Sequence, residues 1–464
     1  MDDQGLVEHL RLVVGAALGQ PVVVEDLAHL PGGASKDTWS FSIRGSAGSA
    51  RRLVLRRDRT GRPVSGVPLE AALFQAAARA GVPVPAVVAS GDGSDELGAP
   101  FLITEFVDGE TIPRRILRDD QLASARAVLA EQCGRVLAAI HRIPPSEVPG
   151  LPGGDPLTQL RDQLDRLGQP HPAFELGLLW LAETRPQRSV NSVVHGDFRN
   201  GNLIVGAEGI RSVLDWELAH LGDPLEDLGW LCVKAWRFGS PLSVGGFGTI
   251  EQLITAYEAA GGEPIDEAVL HWWIALGTLR WGIICIVQTL THTTGMVRSV
   301  ELAAIGRRVC EVESDLLDLL PWTASGGGVP EAAAGASESS EPAETSATAS
   351  WAGAPNDVPS AVQLLDAVKE FLETDVLAAT EGRVRFHTRV AANVVAMVGR
   401  ELQLGSEFAG AHAARLAGLG VASETELAAA IRSGAYNNRL GAVSDAVRAT
   451  VADKLSVANP SYGT

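Results

Sequence analysis

The chain is short of cysteine, of aromatic rings and of positive charge. Its 464 residues include only four cysteines, Cys133, Cys232, Cys285 and Cys310, far apart and without a CxxC pair. That spacing argues against a zinc ribbon, and so few thiols in so long a chain argue against a disulfide framework. Four buried or free thiols in a reducing compartment fit better. Lysine and arginine number 38 against 56 aspartates and glutamates, a net charge of −18. Nucleic acid is thereby excluded as the main partner, because backbone phosphates demand a basic surface. A small phosphorylated ligand in a local basic pocket stays open. Long uncharged apolar runs are also missing. The most apolar stretch, 271–290, carries Arg280 and two glycines, which does not suit a membrane span of about 20 residues. It reads as a buried helix. Met1-Asp2-Asp3 has no basic n-region of the kind that opens a secretory signal, so the expected location is the cytoplasm.

Hydrophobic residues, at 46%, are ample for real cores. One composition break divides the chain. Residues 324–357 are almost entirely Ala, Ser, Gly, Pro, Glu and Thr, with five acidic and no basic residues. Such a segment buries too little apolar surface to offset its ordering entropy, which predicts a disordered acidic linker. Before it, short apolar segments at 37–43, 52–57, 86–90 and 101–107 read as antiparallel strands. A helix over 6–18 precedes them and another over 69–80 interrupts them. From residue 119 onward helical periodicity dominates, over 120–141, 156–167, 173–184, 250–260, 266–290 and 298–319. After 358 the pattern is that of about four helices. The expected organisation is α+β: a sheet-rich lobe (1–107), a helical lobe (108–323), the linker (324–357) and a separate helical bundle (358–464).

The segment Val193-Val194-His195-Gly196-Asp197-Phe198-Arg199-Asn200-Gly201-Asn202 is the most informative. Apolar strands flank a tight polar loop that presents a carboxylate, Asp197, and five positions later a carboxamide, Asn202. Thirteen residues on, Ser212-Val213-Leu214-Asp215-Trp216-Glu217 is another apolar strand ending in a carboxylate. Phosphoryl transfer from a nucleotide needs such a set: a base for the hydroxyl proton and oxygen ligands for Mg²⁺ over the phosphates. HxDxxxxN followed by a strand-end Asp matches the loop and metal carboxylate of kinases. Upstream, Gly32 and Gly33 precede Ser35 between apolar strands, where backbone N–H groups can approach phosphate oxygens; a plain hairpin fits the same residues.

The set His-Gly-Asp, then Leu-Asp-Trp-Glu, then Gly-Asp-Pro-Leu-Glu-Asp-Leu-Gly-Trp-Leu resembles the aminoglycoside phosphotransferase and choline kinase-like family. In particular it resembles the branch associated with acyl-CoA dehydrogenases. The resemblance extends over about residues 5–320 and includes a Gly-Gly…Ser turn, Val54-Leu55-Arg56 and Gly81-Val82-Pro83-Val84-Pro85. It implies a bilobal protein-kinase-like fold that binds ATP and Mg²⁺. It also implies that Asp197 is the catalytic base, that His195 braces the loop, and that Asn202 and Asp215 hold the metal. Asp227 would be either a buried acceptor shaping the loop or a helix cap. Gly32, Gly33 and Ser35 would cover the phosphates. Arg56 would take the place of the usual lysine, with Glu70 as its ion-pair partner. Glu105 and Val107 would hold the adenine through their backbone, without separating ATP from GTP.

The function implied is phosphorylation of a hydroxyl on a small molecule, with a hydroxyacyl-CoA-type acceptor favoured by the branch. The alternatives are an aminoglycoside or other amino-sugar or alcohol kinase, or a nucleotide-binding pseudokinase acting through its tail. No catalytic constellation is visible in the tail, which is open to a protein partner or to self-association.

Overall fold

The computed structural model describes residues 3–30, 36–45, 48, 50–58, 67–94, 97–188, 190–322 and 359–463. Gly32, Gly33, Ser35 and the acidic segment 324–357 lie outside the described residues. Two compact units divide the chain: Met1–Pro156 with Arg185–Gly277, and Leu157–Thr184 with Thr278–Thr464.

The first unit opens with α1 (Asp3–Leu18), β1 (Val23–Leu30), β2 (Lys36–Arg44), β3 (Ala50–Asp58), α2 (Val67–Arg79), β4 (Val87–Asp92) and β5 (Pro100–Glu105). The five strands form one antiparallel sheet in the order β1-β2-β3-β5-β4. Alternation sets its faces. Phe41 lies opposite Leu53 in the register, and Ile43 and Leu55 continue the same face. Leu6, Leu10 and Val14, spaced four apart on α1, complete that core. Full burial of each such side chain is worth about 1.5–3 kcal/mol. Arg56 follows Leu55 and therefore belongs to the opposite face. Strand β1 was not expected from the sequence. It carries Glu25 and Asp26, its register shifts between Glu25 and Ala28, and Asp26 sits at φ 54. The bulge breaks the alternation by which a strand is read.

Next come α3 (Pro113–Arg118), α4 (Ala123–His141), α5 (Pro156–Leu167) and α6 (Pro172–Glu183). Then follow β6 (Ser192–Val194), β7 (Leu203–Gly206), β8 (Gly209–Val213), β9 (His220–Gly222), α7 (Leu225–Cys232), α8 (Ile250–Ala259) and α9 (Glu267–Thr293). Strand β6 pairs with β9 and β7 with β8. Helices α4 and α8 meet at Gly134, where a Cβ would stand 2.6 Å from the carbonyl oxygen of Leu253. Among the described residues α9 alone is long and apolar enough to cross a membrane, and 56% of its apolar window is buried in the protein. The four cysteines are buried and unpaired.

The second unit holds α5, α6, α10 (Val300–Gly306), α11 (Val309–Leu319), α12 (Ala361–Phe371), α13 (Leu377–Ala379), α14 (Gly382–Leu419), α15 (Glu424–Arg432) and α16 (Leu440–Ala458). The helix expected over 298–319 is thus two, α10 and α11. The tail helices do not close a core alone. Leu416, Ile431 and Val447 share one core with Leu176 of α6 and Leu317 of α11. Arg432 donates to Glu175 at 2.8 Å and to Asp165 at 2.6 Å, both before the acidic segment. The compact division therefore does not fall at 323/358. An amphipathic pattern shows that a helix buries a face, not which helix it is buried against.

Candidate active site

Three strand ends deliver the loop expected from the sequence. His195 follows β6, β7 starts immediately after Asn202, and β8 ends two residues before Asp215. The N–H of Leu214 donates to the carbonyl of Asn202 at 2.8 Å, tying the two oxygen-bearing positions together.

His195 is fully buried. Its Nε2 lies 2.9 Å from the carbonyl oxygen of Leu214, and its Nδ1 accepts from the Asp197 N–H at 3.2 Å. The proton therefore sits on Nε2 and the ring is neutral. Burial holds its pKa below the ordinary histidine value, against the pull of Asp227 and Asp197. Both nitrogens are used within the loop, so none is left to ligate a metal.

Gly196 lies at φ +76, and a Cβ there would collide with the carbonyl oxygen of Leu218. Only glycine meets both demands. The N–H groups of His195 and Gly196 converge on Asp227, at 2.7 Å on Oδ2 and 2.8 Å on Oδ1. Asp227 is completely buried. Burial pushes its carboxyl up, but the hydrogen bond and charge of His141 and the loop N–H groups outweigh this and leave it below the usual value. His141 Nε2 is 3.2 Å from Asp227, and its Nδ1 is 3.0 Å from the Tyr257 hydroxyl. The other side of the loop meets His220, whose Nδ1 lies 2.9 Å from the Leu218 carbonyl and whose Nε2 lies 3.1 Å from Glu226. Both neighbours only accept, an arrangement that favours the doubly protonated ring. Burial lowers its pKa, but the Glu226 hydrogen bond and charge prevail and raise it overall.

Asp197 is nearly buried and accepts three hydrogen bonds. Trp230 Nε1 donates to Oδ1 at 2.8 Å and Arg199 Nε to the same oxygen at 3.0 Å, while Asn202 Nδ2 donates to Oδ2 at 2.6 Å. A carboxylate offers about four acceptor positions, so about one is left for a reacting hydroxyl. The Arg199 guanidinium also lies over the Trp236 ring, 4.6 Å from its centroid. Because Asn202 uses its amide nitrogen on Asp197, its Oδ1 is the atom able to ligate a cation.

From the sheet, Arg56 pairs with the buried Glu70 of α2 and reaches Asp215 Oδ1 at 3.2 Å. Asp215 itself lies in the left-handed region, φ 66 and ψ 60, which aspartate tolerates better than most residues. Trp216, also buried, rests its ring 4.7 Å from His195 and 6.3 Å from Phe74 of α2. Two groups of expected residues thus come together: His195, Asp197 and Asn202 in one, Arg56, Glu70 and Asp215 in the other. Glu105 and Val107 stand apart at the end of β5. The Glu105 N–H donates to the carbonyl of Ala86 at 2.9 Å, and its carboxylate pairs with Arg51. Four partners were not anticipated: Arg199, Trp230, His141 and Tyr257. Arg199 could have been suspected as a cation two residues past the loop carboxylate. The other three give no local signal.

A five-stranded lobe, a helical lobe and a carboxylate loop facing an arginine–carboxylate set define the protein-kinase-like fold of small-molecule phosphotransferases. The phosphotransferase enzyme family model matches residues 26–273, more than half of the chain, and the chain belongs to that family. Residues 378–462 match a domain of unknown function (DUF6285). Among curated proteins, acyl-CoA dehydrogenase family member 10 of Mus musculus is 30% identical over 249 residues, 49% of this chain. Family member 11 of Homo sapiens is 26% identical over 215 residues, 41% of this chain. The chain spans only 22% and 27% of those two proteins. Among solved structures, one described as a putative aminoglycoside phosphotransferase from Ralstonia eutropha aligns with a TM-score of 0.55 and 22% identity. The alignment covers 68% of this chain and 98% of that one, and at this identity the likeness shows the fold.

Proposed function

We propose that the chain transfers a phosphoryl group from ATP to a hydroxyl of a small molecule. The observation that carries this reading is Asp197, locked by Trp230, Arg199 and Asn202 with about one acceptor position left. Asp197 takes the proton of the acceptor hydroxyl as the oxygen attacks. Three donors make it a weak base, which suits a loose phosphoryl-transfer transition state that asks for positioning more than for proton abstraction. Arg56, freed from Asp215 by the nucleotide, turns its fork of donors to the phosphates. The Glu105 carbonyl and Val107 N–H hold the adenine, and Gly32, Gly33 and Ser35 cover the phosphates. Asn202 Oδ1 and the Asp215 carboxylate are hard oxygen donors of the kind magnesium takes alongside phosphate oxygens. Bound there, the ion would neutralise charge on the transferring group.

The acceptor is proposed to be a hydroxyacyl thioester of coenzyme A. Support comes from the two relatives, both acyl-CoA dehydrogenase family members. The tryptophans lend less. Trp230, Trp236, Trp272 and Trp273 are buried, and Trp230 serves Asp197, so they are core and positioning residues more than an open apolar wall. The test is ADP release by the full chain with ATP and Mg²⁺ over a panel of hydroxyacyl-CoA esters and kanamycin-type sugars. Turnover of the thioesters is expected. Turnover of the sugars alone would reverse the acceptor, and no turnover with any hydroxylated compound would count against the transfer reaction.

A further inference from the structure

Half of the exposed large hydrophobic residues among the described residues lie in one short stretch of the tail. Seven of fourteen fall on α12 and α14: Leu364, Val368, Phe371, Val384, Phe386, Val398 and Leu402. Helix α12 has no buried residue at all. One stripe, with Leu365 and Leu372 partly buried, packs on α14. The neighbouring stripe, Leu364, Val368 and Phe371, is open at helical spacing. On α14 the stripe is Val384, Ala391 and Val398, seven residues apart, with Val395 and Leu402 four further on; Val384, Val398 and Leu402 are open and Ala391 and Val395 half-buried between them. That is the period of a helix that packs against another helix. Soluble monomers rarely leave such contiguous apolar faces in water.

The charges on this hairpin are sorted by helix. Residues 361–381 carry net −4, and residues 382–400 carry net +4 with no acidic residue. Arg383, Arg385 and Arg389 form no ion pair within the described residues. Two-fold symmetry brings a patch against itself reversed. An acidic helix beside a basic one, each with an apolar stripe, is complementary to its own copy in that arrangement.

We infer that α12 and the first half of α14 pair with the same two helices of a second copy, closing an antiparallel four-helix bundle. In it the acidic α12 of each copy lies along the basic start of the other copy's α14. The occupant is a second copy because the two required charge signs lie on one surface; a different partner would need to mirror both.

The test is sedimentation equilibrium of the full chain across concentration. A reversible dimer is expected. Phe371→Asp with Leu402→Asp should weaken it by roughly 100-fold or more, with circular dichroism confirming retained helix. Arg385→Glu with Arg389→Glu should weaken it likewise. Adding Glu370→Lys and Glu373→Lys to that chain should restore pairing, which general unfolding cannot mimic. A monomer at every concentration would overturn the inference and assign the face to another protein. A dimer indifferent to these substitutions, or a failed charge-swap rescue, would also overturn it.

Discussion

Each unit buries carboxylates, and two of them, Asp227 and Glu313, are used differently. Asp227 takes two backbone N–H groups of the loop that carries Asp197, with the His141 side chain behind it. Glu313, 2% exposed, instead faces side chains from distant helices: His171 Nδ1 at 2.9 Å and Lys454 Nζ at 3.5 Å. Burial pushes the Glu313 carboxyl up, but the charge of Lys454 and the bond from His171 bring it below the usual value. Both groups are held ionised. Asp227 fixes the shape of the loop that carries Asp197; Glu313 ties together groups far apart in the chain.

The comparison can be sharpened by substitutions of falling effect. Asp197→Asn should cut phosphoryl transfer by 10³-fold or so while melting and ATP affinity stay near wild type, measured by single-turnover kinetics and calorimetry. Asp227→Asn should lower stability by about 3–5 kcal/mol and abolish transfer, because an amide N–H then opposes a loop N–H. Glu313→Gln should cost roughly 2–3 kcal/mol, less than the usual penalty because Lys454 keeps Glu424 at 3.4 Å. Its transfer rate per folded molecule should not change, and equal kinetic damage from both variants would break the contrast. Arg56→Ala should weaken ATP binding by about 10–100-fold, with Arg56→Lys recovering part, as for a charge-assisted contact worth about 1.5–3 kcal/mol. Trp230→Phe removes one donor from Asp197 and should slow transfer by roughly tenfold with little change in the KM for ATP.

The smallest effect is a pH dependence. His195 has a lowered pKa, so its contribution is complete above about 6.5, the ordinary value, and is lost as pH falls through the folded pKa. His220 is raised, so its contribution is complete below about 6.5 and is lost as pH rises through its folded pKa. The loop therefore has its own stability maximum near neutrality. Glu313, being lowered, loses its contribution only as pH falls below about 4.5. Thermal unfolding of wild type and Glu313→Gln should keep a constant gap between pH 5 and 8, and the gap should close only in acid. A gap that changes near neutrality would undo the assignment.

The loop was legible because its chemistry is local. His195, Asp197 and Asn202 lie within eight consecutive residues, and Asp215 follows one two-stranded hairpin later. Arg56 and Glu70 were legible because a strand and the next helix must meet. Tyr257 and His141 lie 116 residues apart and reach Asp227 through the packing of α4 on α8, which no spacing records. Trp230 looks like any core tryptophan until its indole N–H is seen on Asp197. The tail was legible as helices, but its shared core with α6 and α11 depends on which apolar faces find each other.

Asp215 carries a consequence for how this activity can be lost. Its left-handed backbone suits aspartate, asparagine and glycine, and it disfavours valine strongly. Of the residues one nucleotide change away from an aspartate codon, asparagine and glycine remove the charge while leaving the backbone at ease. With Asp215 in the metal-holding role proposed above, its loss at this position would be nearly silent for folding. On the proposed reading, a lineage would lose phosphoryl transfer here without passing through an unstable protein, and abundance in the cell would not distinguish the two.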